Sequence, residues 1–166
     1  MARLDENRPF IPVNIAVLTV SDTRTSANDT SGDALAERIA RAGHRVAARA
    51  IERDDADLLE KLLRGWIADP SIDVVITTGG TGITGRDVTP EAFDRVLEKR
   101  IEGFGELFRM LSYEEVGSAA MMTRATAGVA RGTAIFLLPG SEHAVRLGMT
   151  KLILPELGHV VRELRR

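Results

Sequence analysis

The run Thr77-Thr78-Gly79-Gly80-Thr81-Gly82-Ile83-Thr84-Gly85-Arg86-Asp87-Val88-Thr89-Pro90-Glu91 gathers residue types that handle phosphate. Glycine lets backbone N–H groups come close to an anion, and threonine hydroxyls add donors. Their density here exceeds what a structural turn needs. Asp87 sits inside this anion-suited loop, and an acid beside a phosphate implies a Mg²⁺ bridging carboxylate and phosphate oxygens. Such an ion is held by one or two carboxylates plus substrate oxygens, so a second aspartate would complete the protein's share. Asp22, Asp54 and Asp55 are the candidates, although a lone surface aspartate is ordinarily a solvated residue or a helix cap.

Other chemistries fare worse. Gly80-Thr81-Gly82-Ile83-Thr84-Gly85 matches G-x-G-x-x-G, the dinucleotide fingerprint of nicotinamide-dependent oxidoreductases. That fingerprint belongs to the first strand-to-helix turn, with its last glycine entering the helix. Here the pattern follows a third strand, and Arg86 to Thr89 delay the helix. No P-loop signature occurs. Ser21 and Ser141 lack a histidine and acid at triad spacing. Of the three histidines only His143 falls near the presumed site, while His44 and His159 read as structural.

The elements that must position this loop are legible from periodicity. Asn14 to Val20 is a strand without polar interruption, as expected when both faces are covered. Ser21 to Ser31 is a polar loop, and Thr30 is a candidate cap for a helix carrying Leu35, Ile39 and Ala42 inward and stopping at Gly43. His44 to Ile51 reads as a second strand. Asp55 or Ala56 to Ala68 is an amphipathic helix with Leu58, Leu59, Leu62, Leu63, Trp66 and Ile67 on one face. Asp73 to Thr77 is the third strand. Thr89 as cap and Pro90 at a first helical position open a helix to Lys99. A further helix spans Phe104 to Val116, and Thr126 to Ala130 and Thr133 to Leu138 are strands. Leu138-Pro139-Gly140-Ser141 is a second strand-to-loop junction, and Glu142 to Arg166 is helical with Pro155 as a kink.

Alternating strands and helices predict an α/β fold, a three-layer αβα sandwich around a mostly parallel sheet. Residues 1–12 read as an N-terminal arm and 13–166 as a single domain. Ligands of such sheets sit beyond the carboxyl ends of the strands. Ser21-Asp22, Asp54-Asp55, the glycine loop with Asp87, and Gly140-Ser141 therefore converge on one edge.

Bulk composition narrows the partners. A net charge of −2 without a local Lys/Arg run gives no footprint for nucleic acid, and 4% aromatics gives no stacking platform. No apolar stretch approaches the roughly 18 residues of a membrane span. Met1 to Asn7 shows no apolar core of a signal peptide. Zero cysteines exclude disulfides, thiolate metal sites and a cysteine nucleophile, and fit a cytoplasmic location.

Taken together, Val20-Ser21-Asp22-Thr23, Asp29-Thr30-Ser31-Gly32, Thr77 to Gly82, Gly85 to Glu91, Gly103-Phe104-Gly105-Glu106 and Leu138-Pro139-Gly140-Ser141 resemble the molybdopterin-binding family of molybdenum cofactor biosynthesis, the MoaB and MogA proteins and gephyrin-like domains. Phe108 to Gly117 looks like the B-type subfamily. The resemblance implies a mixed, mostly parallel sheet and a homotrimer or homohexamer. It implies Mg²⁺-ATP-dependent adenylylation of molybdopterin, releasing pyrophosphate, with the downstream molybdate-insertion protein as a further partner. The family's paired catalytic, metal-holding aspartates carry over to Asp87 and Asp54. Ile51-Glu52-Arg53-Asp54-Asp55 lacks the proline that often precedes the second acid, which leaves Asp55 as its alternative. Ser21, Asp22, Thr78, Gly79, Gly80, Thr81, Gly82, Gly140 and Ser141 would line the substrate cleft. A non-catalytic molybdopterin carrier or scaffold is the competing function, and two retained acids favour the enzyme.

Overall fold

A computed structural model of the chain describes residues 7–166. Six strands form one sheet in the order β2-β1-β3-β6-β5-β4. The strands are β1 (Asn14–Val20), β2 (Arg45–Glu52), β3 (Val74–Thr78), β4 (Lys99–Arg100), β5 (Thr126–Ala130) and β6 (Thr133–Leu138). The first three and β6 run parallel, while β5 runs antiparallel to both of its neighbours, β6 and β4. The fold class is the one the sequence predicts.

The strands that read as continuous apolar runs divide their residues between two cores with period two. Ile15 and Val17, Val74 and Ile76, and Ala134, Phe136 and Leu138 face one layer, joined by Leu35 and Ile39 of α1 (Thr30–Arg41) and Phe104 and Phe108 of α4 (Glu102–Val116). The same layer takes Val145 of α5 (Glu142–Gly148) and Leu157 and Val161 of α6 (Leu154–Leu164). Ala16, Leu18, Val75, Ile135 and Leu137 face the other, against Leu59, Leu63 and Ile67 of α2 (Ala56–Ala68) and Phe93 of α3 (Thr89–Asp94). Burying a side chain such as Leu or Phe stabilises by about 1.5–3 kcal/mol, so both layers are needed to hold the sheet edge in place.

Three expectations need correction. The helix predicted to run to Lys99 ends at Asp94, and Lys99–Arg100 instead pairs with Val129 and Gly128 as an edge strand. That pairing is a long-range contact with no trace in local periodicity. Thr30 does not cap α1. Asp29 does, accepting from Gly32 N at 3.0 Å, and its fully buried carboxylate also binds Thr19 Oγ1 and Arg49 Nη2. Thr89 does not cap α3 either. Val88 holds that position without a side-chain bond, and the Thr89 hydroxyl donates to Gly79 O at 3.0 Å. Pro155 lies in the first turn of α6, just after a wide turn at Met149–Ile153. Of the predicted arm, Met1 to Glu6 lie outside the described residues. Within the rest, the Phe10 ring packs 5.1 Å from that of His44.

Candidate functional site

The carboxyl ends of β1, β2, β3 and β6 surround a cavity of about 660 Å³. That size is typical of a small-molecule site. Ser21, Asp22, Asp54, Thr78, Gly79, Gly80, Thr81, Gly82, Asp87, Gly140 and Ser141 all line it. The sheet topology thus brings every predicted site residue to one cleft. Two other candidates fall elsewhere. Asp55 turns away to cap α2, its carboxylate accepting from Asp57 N and Leu58 N. His143 pairs with Glu115 and Arg146 outside the cleft wall.

Backbone geometry and hydrogen bonds fix the shape of the loop after β3. Gly79 and Gly80 both have positive φ, 100° and 70°, which a side chain would make strained. A Cβ on Gly80 would also collide with the Thr89 hydroxyl. Gly79 N–H is taken by Leu138 O at 2.9 Å and Thr78 Oγ1 by Pro139 O at 2.9 Å, so these two residues fasten the loop to the β6 junction. Among the described residues, Gly80 and Thr81 find no acceptor for their N–H groups. Both residues line the cleft, so these amides are unpaired donors within its wall. Thr77 belongs elsewhere: its buried hydroxyl lacks a partner among the described residues, and its neighbours in register are Leu18 and Leu137.

The acids flank this loop. A Cβ on Gly82 would lie 2.8 Å from Asp87 Oδ2, and one on Gly80 would lie 3.1 Å from Asp54 Oδ1. Only glycine leaves both carboxylates room above the loop. Their electrostatics differ. Burial opposes ionisation of Asp87, but the Thr84 hydroxyl at 2.6 Å, Thr84 N–H and Gly82 N–H outweigh it and hold its pKa below the ordinary value. Asp54 is pushed up, first by burial and then by the negative charges of Asp22 and Asp87. Among the described residues no other residue donates a hydrogen bond to the Asp54 carboxylate. Asp22 is held low by the Arg86 guanidinium, and its Oδ1 accepts Asp54 N–H at 3.1 Å.

A carboxylate repelled by two others, with the Arg86 charge offsetting them only in part, is a suitable partner for a hard cation. Among the described residues no group of three or more acids or histidines forms a complete metal cage. Two carboxylates with the remaining places open to substrate oxygens fit Mg²⁺ as it usually binds phosphates.

Residues 16–159 match a family described as "Probable molybdopterin binding domain". The chain belongs to that family. A Bacillus subtilis relative, molybdenum cofactor biosynthesis protein B, is 52% identical over 155 residues, covering 93% of this chain and 91% of its own length. Among solved structures, that of a molybdenum cofactor biosynthesis protein B superposes with a TM-score of 0.93 at 48% identity, covering 96% of this chain and 99% of that one. The tungsten cofactor synthesizing protein MoaB of Pyrococcus furiosus superposes at 0.81 with 39% identity, covering 93% and 98%. The B-type resemblance drawn from Phe108 to Gly117 agrees with these matches.

The cleft also contains residues the motifs did not single out as lining it. Thr19 and Ser31 reach it from β1 and the first turn of α1, and Met122 and Thr123 from the 3₁₀ turn after α4. Ser31 lies inside a motif that carried the family resemblance, which is the signal that could have found it. Met122 and Thr123 carry none, because no local pattern places a segment 40 residues downstream against the glycine loop.

Proposed function

We propose that the chain is a molybdopterin adenylyltransferase of molybdenum cofactor biosynthesis. The terminal phosphate of molybdopterin attacks the α-phosphorus of ATP. A new P–O bond forms, the α–β bridging bond breaks, and adenylyl-molybdopterin and pyrophosphate result. The observation that carries this reading is the pairing of Asp54 and Asp87 on either side of a loop that offers free backbone donors. The family match and the biosynthetic names of the relatives support the pathway.

In this reading Gly80 and Thr81 hold the pterin's phosphate through their N–H groups. Ser21, Asp22, Gly140 and Ser141 line the rest of the cleft. Asp54 and Asp87 would hold Mg²⁺, which neutralises triphosphate charge as the leaving group departs. Asp54 takes this role rather than Asp55, because Asp55 is committed to the α2 cap. No general base is required, since a phosphate monoester is already an oxyanion near neutral pH. The absence of a histidine from the cleft is consistent with that.

A homo-oligomer, trimer or hexamer, belongs to the same proposal. Leu107, Met110, Tyr113 and Val116 repeat every three residues on the outer side of α4, all exposed, and Met121 continues the patch. An apolar surface of this kind marks an interaction site.

The test is to incubate the protein with molybdopterin and Mg²⁺-ATP and look for adenylylated pterin. Wild-type protein that binds the pterin but yields none is a carrier, and the enzyme reading fails. Micromolar nicotinamide binding would favour an oxidoreductase.

A further inference from the structure

Arg124 stands behind the glycine loop, outside the cleft lining, and among the described residues its polar contacts all end on residues 81–91. Its backbone N–H donates to Thr81 O at 2.9 Å. Its guanidinium donates through Nε to Gly82 O at 2.9 Å and through Nη2 to Asp87 O at 2.8 Å. Nη1 pairs with Glu91 in the first turn of α3. One side chain thus draws together the loop, the backbone of Asp87 and the start of the following helix.

We infer that Arg124 is a positioning residue that holds the phosphate loop in its donor-outward form. A peptide unit whose carbonyl is pulled to one side presents its N–H groups to the other. The carbonyls of Thr81 and Gly82 share their peptide units with the N–H groups of Gly82 and Ile83. Fixing them behind the loop turns those N–H groups to the opposite side, where Gly82 N–H meets Asp87. The adjoining Gly79 and Gly80 carbonyls, whose peptides carry the Gly80 and Thr81 N–H groups, are held by Thr89. Arg124 thus anchors the loop segment that continues directly from those two donors. The planar fork of a guanidinium satisfies three acceptors at fixed angles, which an ammonium on a flexible stem does not. Its charge lies behind the loop, where it attracts an anion without occupying the anion's place. The same charge acts with the Thr84 and Gly82 bonds to keep Asp87 ionised. Its location is also informative. Arg124 follows the 3₁₀ turn Gly117–Met122, so the exposed apolar patch on α4 and that turn is mechanically joined to the loop.

The turnover part of this inference rests on the adenylyltransferase reading, and the anion-binding part does not. The experiment titrates inorganic phosphate into labelled protein and follows the amide resonances of Gly80 and Thr81. Arg124→Ala should weaken phosphate by about tenfold, the usual loss when a residue that orients a binding group is removed. Added guanidinium ion should restore binding in Arg124→Ala and leave wild type unchanged. Arg124→Lys should recover less than half of the lost affinity. Glu91→Gln removes a single exposed partner and keeps the fold safe, and should weaken phosphate in the same direction by a smaller factor. Where adenylylation is measured, the KM for pterin should rise in Arg124→Ala and fall again with guanidinium. Phosphate affinity within twofold of wild type in Arg124→Ala, or in Glu91→Gln if Arg124→Ala does not fold, overturns the inference. So does full recovery in Arg124→Lys, or a wild type whose Gly80 and Thr81 resonances ignore phosphate. A wild type that binds phosphate through this loop but forms no adenylylated pterin sinks the adenylyltransferase reading alone.

Discussion

Arg86 grips Asp22 with two parallel hydrogen bonds, Nε to Oδ2 and Nη2 to Oδ1, both at 2.9 Å. The pair ties the loop after β3 to the turn after β1, and Asp22 Oδ1 also accepts Asp54 N–H. Both groups are solvent-exposed and exposed ion pairs contribute little to stability, so Asp22→Asn should leave the Tm within a few degrees of wild type, about 4 °C at most. Its effect on Asp54 is electrostatic. Removing a neighbouring negative charge lets Asp54 ionise at lower pH. The acid limb of Mg²⁺-dependent turnover should therefore move to lower pH in this variant, and a limb that stays put counts against Asp54 as the titrating group.

Asp54 itself should trade stability for function. Its folded pKa is raised, first by burial and then by Asp22 and Asp87. The folded protein thus holds this proton more tightly than the unfolded chain, and stability is lost as pH rises through the raised value. Asp54→Asn should increase the Tm of the metal-free protein at neutral pH. The gain should vanish below about pH 4, where the unfolded aspartate is protonated too. Mg²⁺ should raise the Tm of wild type and leave Asp54→Asn unmoved. Turnover should fall by at least about 10²-fold, the usual loss when a charge-stabilising group is removed.

Two glycines two residues apart should respond oppositely to alanine. In Gly80→Ala the Cβ meets the Thr89 hydroxyl at a φ of +70°. The backbone term alone costs about 1–2 kcal/mol, so the Tm should drop by several degrees. Gly82 has no positive φ, and its Cβ would meet only the Asp87 carboxylate, at 2.8 Å. Gly82→Ala should keep most of the stability while displacing Asp87, and Mg²⁺ affinity should fall. Calorimetry and metal titration on the two variants check the contrast.

His44 should make the fold sensitive to mild acid. Its Nδ1 accepts Val13 N–H at 3.1 Å, which requires a neutral ring, and burial lowers its pKa. The stabilisation is complete above the ordinary histidine value of about 6.5 and is lost as pH falls through the lowered folded value. Denaturant midpoints should decline across that range in wild type and stay flatter in His44→Gln. Equal slopes in the two proteins would remove His44 as the cause.

The α4 patch should govern assembly. Met110 is 56% and Tyr113 64% exposed on a stripe of four large apolar residues. Light scattering should give a multiple of three chains for wild type, and Met110→Glu should shift the mass toward monomer with the fold intact by circular dichroism. An unchanged mass places the interface elsewhere.

The local sequence determined more of the site than of the fold's edges. β1, β5 and β6 have the bounds read from their apolar runs, and the two-sided burial of the sheet follows from strands without polar gaps. The glycine and threonine content of residues 77–85 marked the loop that lines the cleft, because the positive φ of Gly79 and Gly80 favours glycine. Tertiary structure alone decided the rest. Asp54 and Asp55 are equivalent as text, yet capping α2 takes one and leaves the other facing the cleft. Thr30 and Thr89 have cap chemistry, but the deeply buried Asp29 and the folded-back loop after β3 claim those roles. Lys99–Arg100 is a strand only because β5 lies beside it. Arg124 looks like any charged residue until a segment 40 positions earlier is brought against it. Residue type and spacing report what a short stretch can do, whereas a hydrogen bond between distant residues exists only once the chain has paid its folding entropy to bring them together.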